Sequence, residues 1–191
     1  GRKYVAITDA GTAQDERTAL VVYKREATVE GPRQICRIPL FTDKGSAVEI
    51  SPIGWGRALV VKNDAGYRSA FHGTSAANIP GGIWRIDILD DDSGCDVLWQ
   101  APERVPAVVN KLSSNGLLYY YTFEEQPDGE NAWFFIALDF VTGKTVYKKF
   151  IGLGQKFDIN WGSPAIARAG TVYLGILEGI VQIADGSAKG E

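Results

Sequence analysis

The stretch Gly116-Leu117-Leu118-Tyr119-Tyr120-Tyr121-Thr122 opens on a glycine and is apolar or aromatic for its next five residues. A run this short and this continuous reads as a strand covered on both faces rather than as one side of a helix. Its three tyrosines can bury their rings and still send hydroxyls to a partner. Three other stretches repeat the pattern: Lys3-Tyr4-Val5-Ala6-Ile7-Thr8-Asp9, Arg57-Ala58-Leu59-Val60-Val61-Lys62-Asn63 and Gly170-Thr171-Val172-Tyr173-Leu174-Gly175. The four starts lie about 54, 59 and 54 residues apart.

A period of roughly 40 to 55 residues filled with short strands marks β-propeller blades, each of which needs neighbours to cover its faces. The remaining strands fall into place around the four quoted runs. They are Thr18–Lys24 and Gln34–Phe41, Ile83–Ile88 and Asp96–Gln100, Trp133–Phe140 and Lys144–Phe150, and Gly179–Ile183. Gly31-Pro32, Asp43-Lys44-Gly45 and the long segment 64–82 punctuate them. No segment keeps apolar residues at i, i+3, i+4 and i+7, so helix is nearly absent. The expected fold is all-β: one domain of four-stranded antiparallel blades, three to four of them, in an incomplete circle. The blades run roughly over 1–45, 46–105, 106–155 and 156–191.

The second halves of the repeats carry a sharper pattern. Ala137-Leu138-Asp139-Phe140-Val141-Thr142-Gly143-Lys144-Thr145-Val146-Tyr147 resembles the Ala-x-Asp-x-x-Thr-Gly-x-x-x-Trp repeat of the quinoprotein-like (PQQ-type) β-propellers. Ile86-Asp87, Ser93-Gly94 and Trp99 resemble the same repeat with a longer turn, and Ile183-Ala184-Asp185-Gly186 its beginning. In such a turn Asp and Thr side chains bond the backbone, Gly takes a positive φ, and the closing aromatic docks on the adjacent blade. Tyr147 stands where the repeat has tryptophan. Enzymes of that family bind the quinone with adjacent cysteines and acidic calcium ligands. The two cysteines here, Cys36 and Cys95, are far apart, so the resemblance carries no PQQ site.

Composition narrows the function classes. Apolar residues make up 45% of the 191, enough for a packed core. The net charge of −3, with no basic stripe, speaks against a nucleic-acid partner. No apolar run approaches the ~20 residues of a membrane-spanning helix. The chain has no methionine and opens on Gly1, which leads us to expect a piece of something longer. Three to four blades leave two faces open, so the expected partners are further propeller blades from the same longer chain, a partner chain or a second copy. Cys36 and Cys95 are either two buried thiols or a disulfide tying neighbouring blades; the second reading implies an oxidising compartment, secreted or periplasmic.

Three segments precede the quoted strands and should line one mouth of the channel: 49–56, 106–115 and 157–164. From them Glu49, Asn110, Lys111, Asp158 and Asn160 form the candidate ligand site, with Ser51, Ser113 and Ser163 nearby. Carboxylate and amide oxygens around an axis suit a hard cation such as Ca²⁺, and their residue types are similar to those of metal-dependent lactonase propellers. Lys111 favours an anionic or carbonyl-bearing ligand. His72 with Ser75 lacks a nucleophile elbow and reads as an ordinary loop. Asp90-Asp91-Asp92-Ser93-Gly94 reads as a solvated hairpin turn rather than a calcium loop. Trp55, Trp133 and Trp161 either pack between blades or form a sugar platform. No reaction is named by these residues. A binding or scaffold propeller ranks first, ahead of a hydrolase, lactonase or oxidoreductase at the channel mouth, with or without a divalent metal.

Overall fold

The computed structural model describes residues 3–9, 18–29, 31–41, 51–63, 82–105, 111–159, 162–168 and 170–184. These form fourteen strands and a single short 3₁₀ turn at Gln155–Phe157. The first sheet joins β1 (Tyr4–Asp9), β2 (Ala19–Thr28) and β3 (Gly31–Pro39) in sequence order. The second joins β4 (Ile53–Trp55), β5 (Ala58–Lys62), β6 (Ile83–Ile88) and β7 (Cys95–Ala101). The third joins β8 (Lys111–Leu112), β9 (Leu117–Glu125), β10 (Asn131–Asp139) and β11 (Thr145–Leu153). The fourth joins β12 (Ala165–Ile166), β13 (Val172–Ile176) and β14 (Gly179–Ile183). Every pairing is antiparallel between chain neighbours.

Side-chain alternation explains how the sheets stack. On β5, Leu59 and Val61 pack with Leu20, Val22 and Ile35 of the first sheet, while Val60 points the other way, onto Leu118, Tyr120 and Ile136 of the third. On β9, Tyr121 and Phe123 join Val172 and Leu174 of the fourth sheet. Each core therefore lies between consecutive sheets, and the second strand of a sheet is apolar on both sides because it serves two cores. This face-to-face series is the packing of propeller blades.

The sequence reading placed the quoted runs at the inner edge of each blade. In the structure β5, β9 and β13 are second strands, with the short β4, β8 and β12 beyond them at the sheet edge, while β1 is itself an edge of the first sheet. Of those edge strands, β4 and β8 fall inside the segments expected to be channel-mouth loops, and β12 directly follows the third segment. The first sheet shows no such strand among the described residues. Gly31-Pro32, read as a break, begins β3.

The repeat turn does what its chemistry dictates. Asp139 Oδ1 accepts from the Thr142 N–H at 2.7 Å and the Thr142 hydroxyl at 2.8 Å, and Gly143 sits at φ 70°. These bonds hold the Asp139 carboxyl below its ordinary range. A Cβ on Gly143 would lie 2.5 Å from the Trp99 ring, so glycine lets the preceding blade's tryptophan rest on the turn. Trp99 Nε1 donates to the Phe140 carbonyl at 3.0 Å, and Arg85 Nη1 donates to the same oxygen at 2.9 Å. In the second blade the turn oxygen comes from Asp91, which accepts from the Ser93 N–H and hydroxyl, whereas Asp87 pairs with Arg85.

Candidate functional site

Of the five residues expected at the channel mouth, Glu49, Asn110 and Asn160 lie outside the described residues, as do His72, Ser75 and Trp161. Lys111 is described in its backbone, which pairs with Tyr119 at the edge of the third blade. Asp158 follows the 3₁₀ turn and is 3% exposed. Its carbonyl accepts from the Leu177 N–H at 2.9 Å, which ties the entry of the fourth blade to the end of β13. Burial pushes its carboxyl up to about 7. Among the described residues no group of three His, Cys, Asp or Glu gathers as a metal site. Trp133 is fully buried, stacked on Tyr121 with its Nε1 donating to the Gly154 carbonyl, so it forms no sugar platform. Trp55 is 66% exposed.

The strongest polar cluster lies where the first two blades meet. Tyr4 OH donates to Asp92 Oδ1 at 2.5 Å, Arg57 Nη2 donates to the same oxygen at 2.7 Å, and Lys24 Nζ lies 2.9 Å from Oδ2. Arg57 also donates to the Ile88 carbonyl and packs on the Tyr4 ring. Hydrogen bonds from Tyr4, then Lys24 and Arg57, hold the Asp92 carboxyl well below the carboxylate range. The bond to Asp92 pushes the Tyr4 phenol up. The turn 90–94 is therefore no isolated solvated hairpin, since Asp92 anchors it to β1 and β2. At the outer rim, β3 and β7 are joined by the Cys36–Cys95 disulfide, with Cα atoms 5.9 Å apart.

Beside this network a cleft of about 540 Å³ opens between β1 and the second blade. Lys3, Tyr4 and Ala6 form one wall, Ser51, Pro52 and Gly54 the other, and Leu59 and Ile88 lie between them. The Arg25 N–H donates to the Lys3 carbonyl. That pairing points residues 3, 5, 7 and 9 of β1 toward β2, and the N–H and C=O groups of Tyr4, Ala6 and Thr8 toward the other edge. In the second blade the matching edge of β5 is paired by β4, with Ile53 opposite Val60 and Trp55 opposite Ala58. Sequence reasoning missed this site because it is shared between segments about 50 residues apart. The signal that locates its second wall is the Ser-Pro pair: Ser51-Pro52 precedes β4 as Ser163-Pro164 precedes β12. Proline holds the preceding residue extended and suits the first position of an edge strand.

With this geometry in view, seventeen chains of solved structures resemble the protein. One is described as "The crystal structure of BamB from Moraxella catarrhalis", matched at a TM-score of 0.51 and 15% identity over 86% of this chain and 42% of that one. The chain thus spans less than half the length of that structure. No protein-family model matches, and no curated protein sequence does. Likeness at this identity establishes the fold alone: the chain is an all-β, partial β-propeller of antiparallel blades.

Proposed function

We propose that the chain serves as a binding or scaffold part of a PQQ-like repeat propeller, completed by further blades. The observation that carries this reading is the contrast between inner and outer faces. Leu59 and Val61, Leu118 and Tyr120, and Val172 and Leu174 face the preceding sheet and are at most 9% exposed. Val5 and Ile7 hold the same place on the first sheet and are 48% exposed. Tyr173 and Ile180, on the far face of the last sheet, are 40% and 75% exposed. Surface of this kind is covered in soluble proteins. The covering blades come from the same longer chain, a partner chain or a second copy. The Cys36–Cys95 bond supports a secreted or periplasmic setting, and no helix among the described residues is long and apolar enough to cross a membrane.

Sedimentation of the chain alone and with Val5→Lys or Ile180→Lys tests the reading. Association that either charge abolishes, with circular dichroism unchanged, is expected. A stable wild-type monomer that binds no apolar-surface dye would refute it. The second reading, chemistry at the channel mouth, draws on one observation: Asp158 carries a carboxyl held near neutrality by burial, a property common among catalytic acids and bases. Elemental analysis separates the two readings: a stoichiometric divalent ion, lost in Asn160→Ala, favours the enzyme.

A further inference from the structure

One of the six asparagines directly precedes a glycine: Asn115-Gly116, in the turn 113–116 between β8 and β9. Three features of the turn favour attack by the Gly116 main-chain nitrogen on the Asn115 side-chain amide. The nitrogen is unhindered, because Gly116 has no side chain and nothing lies within 4 Å of the place a Cβ would take. Asn115 Oδ1 accepts from the Ser113 hydroxyl and from the Leu117 N–H at 3.3 Å. Those donors face the oxygen that gains negative charge in a tetrahedral intermediate. Asn115 is exposed, and its Nδ2 donates to the Tyr119 hydroxyl at 3.5 Å. Water therefore reaches the site, and a proton source stands beside the nitrogen that would leave. We propose that this turn is a self-modification site, where Asn115 loses ammonia through a succinimide and becomes isoaspartate or aspartate.

The chemistry needs only water and hydroxide. Hydroxide takes the Gly116 N–H proton, and the nitrogen lone pair attacks Cγ of Asn115. The N–Cγ bond forms and the Cγ–Nδ2 bond breaks. Nδ2 leaves as ammonia with a proton passed through the Tyr119 hydroxyl, which water replaces. Water then opens the ring. Addition at Cγ gives aspartate, and addition at the Asn115 main-chain carbonyl gives isoaspartate, whose main chain runs through Cβ and is one atom longer. Either product carries a negative charge where the amide had none. One bond opposes the attack: the Gly116 N–H donates to the Ser113 carbonyl at 3.1 Å. It lies at the tip of an exposed turn, where local opening is least costly. Among the described residues β8 meets β9 at two pairs, Lys111 with Tyr119 and Leu112 with Leu118, and the Ser113 N–H closes the turn on the Leu117 carbonyl at 3.0 Å. The added atom separates these partners, so isoaspartate loosens the edge strand of the third blade.

The test incubates the whole chain, disulfide intact, at pH 8 and samples it over weeks. Trypsin releases residues 112–144, which hold Asn115 and Asn131 together, so the second asparagine is an internal control. Asn131 precedes alanine, and fragment masses should show Asn115 converted about tenfold faster. Enzymatic methylation of the isoaspartyl carboxyl should score that product, and hydroxylamine should cut the ageing chain between residues 115 and 116. With one hydrogen bond to the developing oxyanion lost, Ser113→Ala should react about fivefold more slowly. The same chain unfolded in urea lacks the folded donors and should also react more slowly. Equal or faster conversion in urea would overturn the proposal, as would an Asn115 that converts no faster than Asn131. Unaltered hydrogen-exchange protection of the Ser113 amide in the isoaspartate form would overturn the loosening of β8.

Discussion

Replacing Gly143 by alanine tests the blade junction most directly. Two penalties combine. The residue sits at φ 70°, where a Cβ costs about 1–2 kcal/mol. That Cβ would also lie 2.5–2.9 Å from three atoms of the Trp99 ring, in the middle of the indole rather than at a flexible end. The ring must move, and overpacking of this kind costs about 1–3 kcal/mol. Moving it strains the bond from Trp99 Nε1 to the Phe140 carbonyl, for a further ~1 kcal/mol. Gly143→Ala should therefore destabilise the protein by about 3–6 kcal/mol in urea unfolding followed by circular dichroism with the disulfide intact. A double-mutant cycle with Trp99→Ala separates the terms. On that background the clash is gone, and Gly143→Ala should cost only the ~1–2 kcal/mol of backbone strain. A cost below about 1 kcal/mol in the parent, or the same cost on both backgrounds, would refute docking of the tryptophan on this turn.

Reduction, or Cys36→Ser with Cys95→Ser, should lower stability by about 4 kcal/mol at a separation of 59 residues, and thiol titration of the unreduced denatured protein should find no free cysteine. Asp158→Asn should raise stability at pH 8 by up to ~4 kcal/mol. The unfolded chain releases this proton near pH 3.8 and the folded one near 7, so the parent loses stability as pH rises through that window and the variant should not. Asp92 has the opposite sign. Its depressed carboxyl contributes stability above about pH 4, so the melting temperature should fall on acidification below that pH, and less so in Asp92→Asn with Tyr4→Phe.

The sheets were largely legible in the residues, because strands serving two cores are apolar throughout and stand out from their turns. β6 and β14 begin and end where the apolar runs do, at Ile83–Ile88 and Gly179–Ile183. The edge strands β4, β8 and β12 were not legible, since two or three residues carry no periodicity and only the Ser-Pro pairs foreshadow two of them. The Asp-Thr-Gly turn was readable because its bonds are local. Asp92 was not, because its partners Tyr4 and Lys24 are 88 and 68 positions away in the sequence. The cleft could not be read at all, as it depends on how β1 and the second blade face each other.

The Cys36–Cys95 bond also decides how the molecule responds to mechanical load. A pull on the two ends passes straight from β3 to β7 through the sulfur bridge, and β4, β5 and β6 lie wholly inside the bypassed loop. At ~3.4 Å per residue that loop withholds about 200 Å of an extended length near 650 Å. The load thus falls on the first sheet's inner strands and on the third and fourth blades, while the middle of the second blade stays out of its path. Cutting the bridge with a reductant would release the hidden length as a separate step in a force–extension trace, and would leave this junction to its apolar core and the Asp92 network.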